Sequence, residues 1–160
     1  MRWAVLGFAL LLSVIFLLPG CFLKRTEGGP SAVGYWYWKY RIAHKKPPSD
    51  QQEAEYRKRV KTEVEQYITL HPELSEIKKL QLPRLTVRVG MTKAEVLLLL
   101  KDSGRVIRDP QELAKRAGKF WPELKGRADE AWSYYDYDES ILFLQGDTLI
   151  DILTTFTDVI

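Results

Sequence analysis

At 160 residues, 46% of them apolar, the chain has room for one ordinary domain with a real core plus a terminal appendage, and too little for two comfortable domains. The formal charge of +3 is modest, no low-complexity tract argues for wholesale disorder, and no nucleic-acid partner is expected. A single cysteine, Cys21, excludes an internal disulfide framework.

Charge is unevenly spread. The first 20 residues hold one charged side chain, Arg2. Residues 39–61 carry eight bases (Lys39, Arg41, Lys45, Lys46, Arg57, Lys58, Arg59, Lys61) against three acids, whereas residues 128–160 carry eight acids and no Lys or Arg. A basic stretch near a lipid surface is drawn to anionic head groups.

The N-terminus reads as a positive n-region followed by an apolar run over residues 3–18. Sixteen residues at 1.5 Å rise give about 24 Å, short of a hydrocarbon core of about 30 Å. Extension through Phe22 and Leu23 must pass Pro19-Gly20, which favours ending a helix there. A cleaved signal, an uncleaved signal anchor and a lipid-attachment site all begin this way.

The end of the run, Leu18-Pro19-Gly20-Cys21, resembles the lipobox of bacterial lipoproteins, Leu-x-Gly/Ala-Cys, with Pro19 standing where Ala or Ser is usual. The resemblance implies cleavage between Gly20 and Cys21, a diacylglycerol thioether on Cys21 and a fatty acyl group on the new amine. Two or more chains anchor stably where one does not. Phe22, where an Asp usually marks inner-membrane retention, implies sorting to an outer membrane, with the domain facing the periplasm.

Residues 26–34, "TEGGPSAVG", read as a flexible tether. The segment "YWYWKYRI" follows. As a strand it puts Tyr35 and Tyr37 on one face and Trp36, Trp38 and Tyr40 on the other; as a helix it stacks Trp36 on Tyr40. These five aromatics are a candidate partner or membrane surface, since Trp and Tyr favour the interface, or else they pack on the domain.

Ser49 with Gln52 forms a capping box that opens a helix bearing a thin apolar stripe: Tyr56, Val60, Val64, Tyr67 and Ile68. Glu53–Arg57 and Glu55–Arg59 are favourable pairs on it. His71-Pro72 ends this helix, and Leu74, Ile77 and Leu80 suggest a second, short one. Residues 85–89 alternate as a short strand.

"GMTKAEVLLLLKDSG" has the fullest local signals. Thr92 and Glu95 make a capping box, Met91 can staple onto Val96, and Gly104 is the expected stop. Residues 105–127 read as a loop with a short helix over 111–117. Residues 131–137, 141–144 and 148–153 read as three antiparallel strands joined by tight turns.

Gly90, Met91, Thr92, Glu95, Val96, Leu99 and Leu100, then Trp132 and Tyr134, then Leu142, Leu144, Leu149 and Ile152 resemble the small outer-membrane lipoproteins of the SmpA/OmlA, BamE-like type. Over residues 85–153, under half the chain, this implies an α+β fold with helices on one face of a three-stranded antiparallel sheet. "LKDSG" replaces that family's usual Leu-Gly-x-Pro. The expected organisation is a signal peptide (1–20), a lipidated tether (21–34), an aromatic-basic and helical extension (35–82) and a BamE-like domain (83–160).

No H-E-x-x-H, C-x-x-C, phosphate loop or nucleophile elbow occurs. Asp136, Asp138 and Glu139 lack a calcium-loop pattern and read as a solvated hairpin tip. The expectation is therefore a non-enzymatic accessory acting through protein contacts, with no cofactor or metal beyond the lipid on Cys21. The alternatives are a ligand-binding or enzyme-inhibiting module on the same fold, or an uncleaved signal-anchored protein.

Overall fold

A computed structural model describes residues 22–136 and 138–156. Its centre is a five-stranded antiparallel sheet. The strands are β1 (Phe22–Arg25), β4 (Arg105–Ile107), β5 (Glu130–Tyr135), β6 (Glu139–Gln145) and β7 (Thr148–Phe156), in spatial order β1-β7-β6-β5-β4. A second, two-stranded ribbon pairs β2 (Gly28–Ser31) with β3 (Thr86–Arg88).

The three expected strands are β5, β6 and β7, and they pair as two antiparallel hairpins. The fold is α+β, but the sheet is wider than three strands because β1 and β4 cover its edges. Strand edges carry unpaired backbone groups, and short flanking strands satisfy them. Residues 105–127 thus contain a strand that a loop reading misses, since "RVI" is too short to show a period.

Helices cover both faces of the sheet, not one. On the first face, α1 (Ala32–His44), α2 (Asp50–Leu70) and α4 (Lys93–Leu100) enclose Trp132, Tyr134, Leu142, Leu144, Leu149 and Ile152. On the second, α5 (Pro110–Ala117) and α6 (Trp121–Leu124) enclose Ala131, Ile141, Phe143 and Leu153. The continuous apolar run Ile141-Leu142-Phe143-Leu144 in β6 is buried throughout, as a strand apolar on both faces must be. Between α2 and the β3 ribbon, α3 (Glu76–Gln81) leaves Ile77 and Leu80 exposed.

The expected tether is replaced by structure. β1 pairs residue by residue with β7, from Phe22↔Phe156 to Arg25↔Leu153. Gly29 lies so close to the sheet that a Cβ there would stand 3.2 Å from Leu142 Cδ2 and 3.5 Å from both Ile152 Cδ1 and Val87 Cβ. Its role is close approach, not flexibility. Nor are residues 35–82 a separate extension: Tyr35, Tyr56, Val60 and Val64 share one apolar cluster with Val96, Trp132 and Leu142.

Local capping signals hold in detail. Ser49 and Gln52, and Thr92 and Glu95, each form both bonds of a capping box, and Met91 and Val96 are buried in the same cluster. The end of α4 differs from expectation: Lys101, at φ 69°, takes the left-handed cap position, with its N–H donating to the Leu97 carbonyl. Gly104, at φ 56°, serves the next turn, where a Cβ would come within 2.4 Å of the Ser133 carbonyl oxygen.

Candidate functional site

Leu18, Gly20 and Cys21, the residues of the lipid-attachment pattern, lie outside the described residues, as do the signal segment 1–20 and Tyr137. Phe22, next to Cys21, is already the first residue of β1 and is 65% exposed.

The aromatic segment is helical, and the helix sorts its rings. Tyr35 is buried, packs edge-on against Tyr134 with centroids 5.2 Å apart, and donates from its hydroxyl to Asp102 Oδ1 at 3.0 Å. Burial first, and then the Asp102 carboxylate, push the Tyr35 phenol well above its ordinary range. Trp36 lies flat on Tyr56 at 4.5 Å and tilts against Tyr40 at 5.4 Å. The Tyr40 hydroxyl accepts from Gln52 Nε2, and its ring meets His44 at 4.1 Å. Tyr37 and Trp38 are half-buried. Tyr35 and Trp36 thus spend their rings on the domain, while Arg41 and Ile42 near the end of α1 and Lys45 and Lys46 just after it are all exposed.

Asp102 ties α1 to the turn after α4. It pairs with Lys39, accepts from the Gly104 N–H at 2.9 Å and accepts from Tyr35. Burial alone would raise its carboxyl; Lys39, the Gly104 amide and Tyr35 outweigh that and hold it below the usual carboxylate range.

The buried carboxylates are occupied by structural partners. Glu95 caps Thr92 and receives Lys78 Nζ at 2.9 Å on both oxygens. Glu130 binds Arg108 and the Trp132 indole N–H; despite burial, these and Lys93 hold its carboxyl low. Glu139 is buried against Arg116 and the Ser133 hydroxyl, so it is no part of a solvated acidic tip. Among the described residues, no group of His, Cys, Asp and Glu is placed to hold a metal ion, and no helix is long and apolar enough to cross a membrane.

One groove brings together residues that sequence spacing could not connect. An open cleft of 710 Å³ is lined by Arg25, Arg88 and Arg127 together with Glu27, Glu123 and Asp151. Arg25 is committed: its Nε reaches both Asp151 oxygens, at 3.1 and 2.8 Å, and its Nη1 reaches Glu123 at 2.8 Å. Arg88 Nε is buried and, among the described residues, has no hydrogen-bond partner. These arginines come from β1, from β3 and from the loop after α6, so no local motif announces the cleft.

No family model, no curated protein and no solved structure matches this chain.

Proposed function

We propose that this chain is an acylated lipoprotein of the bacterial envelope, held at the outer membrane through Cys21 and facing the periplasm, where it serves as a structural or assembly accessory through protein contacts. The observation that carries this reading is Leu18-Pro19-Gly20-Cys21 closing an apolar run behind Arg2. Intact mass of the membrane-extracted protein tests the anchor: the expected species begins at Cys21 and carries two or three acyl chains. A species beginning at Met1 with unmodified Cys21 overturns it in favour of a signal anchor. Cys21→Ser abolishes acylation and leaves the precursor. Co-purification from crosslinked membranes identifies the protein partner.

A second reading, a ligand-binding module, is favoured by the buried unpartnered Nε of Arg88 in the arginine-lined cleft. A guanidinium donor in such a place suits a carboxylate. Titration with acetate, followed by NMR, shifts the Arg88 Nε–H resonance if the cleft binds carboxylates, and leaves it unmoved if it does not.

A further inference from the structure

The register fixes which end of the molecule a lipid on Cys21 would occupy. Phe22 pairs with Phe156, Thr155 with Glu139 and Glu139 with Tyr135, so the chain enters at the sheet end that bears the β5–β6 turn. The β6–β7 turn marks the opposite end. There α4 begins, with Thr92 bridged to Thr148 and the Lys93 N–H donating to the Asp147 carbonyl. α4 therefore runs toward the entry end, where Gly104 packs on Ser133.

α2 runs the other way along α4. Lys78, eight residues beyond α2, reaches Glu95 in the first turn of α4, while Glu63 pairs with Lys101 at its far end. From Glu63 back to Asp50 is about 20 Å of helix at 1.5 Å per residue. α1 advances toward the same end while crossing the sheet from β6 and β7 to β5: Gly29, just before it, lies over Leu142 and Ile152, Tyr35 over Tyr134, Lys39 at Asp102, and Tyr40 meets Gln52 of α2.

Ser133 shares a rung with Ile141, Leu153 and Arg25. Phe22 is three residues further on, about 10 Å at strand rise. The ends of α1 and α2 that meet at residues 41–50 therefore point toward the sheet end at which Phe22 enters, on the β5 side of the sheet. The tip carries Arg41, Lys45 and Lys46 against Asp50, with Ile42 61% exposed. Other described acids at this end are Glu53, paired with Arg57, and Glu55, which accepts from Gln51, on α2, Asp102, paired with Lys39, and Asp136 and Asp138 in the β5–β6 turn.

We propose that the α1–α2 tip, through Arg41, Lys45, Lys46 and Ile42, docks on anionic lipid head groups of the leaflet that holds the Cys21 acyl chains. The proposal rests on the lipoprotein reading above. Because β1 starts at Phe22 and is paired along its length, no flexible linker separates anchor and domain, and the anchor sets the orientation.

The test uses the acylated full chain carrying Ile42→Cys, or Asp147→Cys at the opposite end, labelled with an environment-sensitive fluorophore; acylation blocks Cys21. In vesicles of phosphatidylcholine with phosphatidylglycerol, the label at position 42 is quenched by headgroup spin-labelled lipid, and the label at 147 is not. Added salt releases position 42, since the Debye length is about 8–10 Å near physiological ionic strength. Combined Arg41→Gln, Lys45→Gln and Lys46→Gln lowers the docked-to-undocked ratio about 100-fold. A protein that is acylated and floats with vesicles, yet leaves position 42 unquenched, overturns the docking while the anchor stands. Protection of position 42 only in native membranes overturns it in favour of a protein contact. Absence of acylation and flotation removes the anchor and the docking together.

Discussion

Thr92, Gly104 and Asp102 show three ways in which one side chain or its absence sets a local structure. Thr92 accepts the Glu95 N–H at the start of α4, so Thr92→Ala is expected to lower stability by about 1 kcal/mol in denaturant titration. Gly104 and Gly146 both have positive φ, at 56° and 58°, but only Gly104 has backbone within reach of an added Cβ. Gly104→Ala is therefore expected to lower the melting midpoint more than Gly146→Ala, and equal losses would show that the Ser133 carbonyl yields. For Asp102, the depressed folded-state carboxyl contributes stability that is fully present above its unfolded pKa of about 3.9 and is lost as pH falls through the lower folded value. The gap in unfolding midpoint between wild type and Asp102→Asn is expected to be constant above about pH 5 and to close below pH ~4, with a plateau of no more than about 1 kcal/mol for so exposed a pair.

Helix α1 shows how an element can look like a surface and serve as a core. Five aromatics in six positions suggest an interfacial belt, yet the 3.6-residue period turns Tyr35 onto Tyr134 and Trp36 onto Tyr56. A double-mutant cycle on Trp36→Ala and Tyr56→Ala is expected to give a coupling of about 0.5–1.5 kcal/mol from the stacked pair. A coupling near zero would mean the rings merely lie near each other. β1 makes the reverse point: a segment next to glycine-rich sequence is a paired edge strand, clamped by Arg25 to Asp151 of β7 and Glu123 of α6.

Across the whole molecule, the α1–α2 layer and the sheet share one apolar cluster, while α5 and α6 bury a second one on the opposite side. Loss of either layer exposes apolar residues of β6, which argues for one cooperative unit. Val60→Ala in α2 and Trp132→Ala in β5 are expected to shift the same single transition, the latter by about 3–5 kcal/mol. Two resolved transitions, monitored by far-UV circular dichroism and tryptophan fluorescence, would instead make the helical layer a separate unit.

The sequence by itself determined what depends on near neighbours. Capping boxes at Ser49 and Thr92, the stripe Tyr56-Val60-Val64 and three strands closed by tight turns are all set within a few residues, and all stand in the structure. The lipid-attachment pattern at Cys21 is equally local, and it lies outside the described residues. Tertiary structure alone decided the sheet's edges, its second helical face, the ordered course of residues 22–31 and the arginine cleft. Each joins residues far apart in the chain: Arg25 meets Asp151 across 126 positions. A short strand such as "FLKR" or "RVI" has too few residues to show a period, and only an unfilled row of backbone groups on β7 or β5 gives it a place.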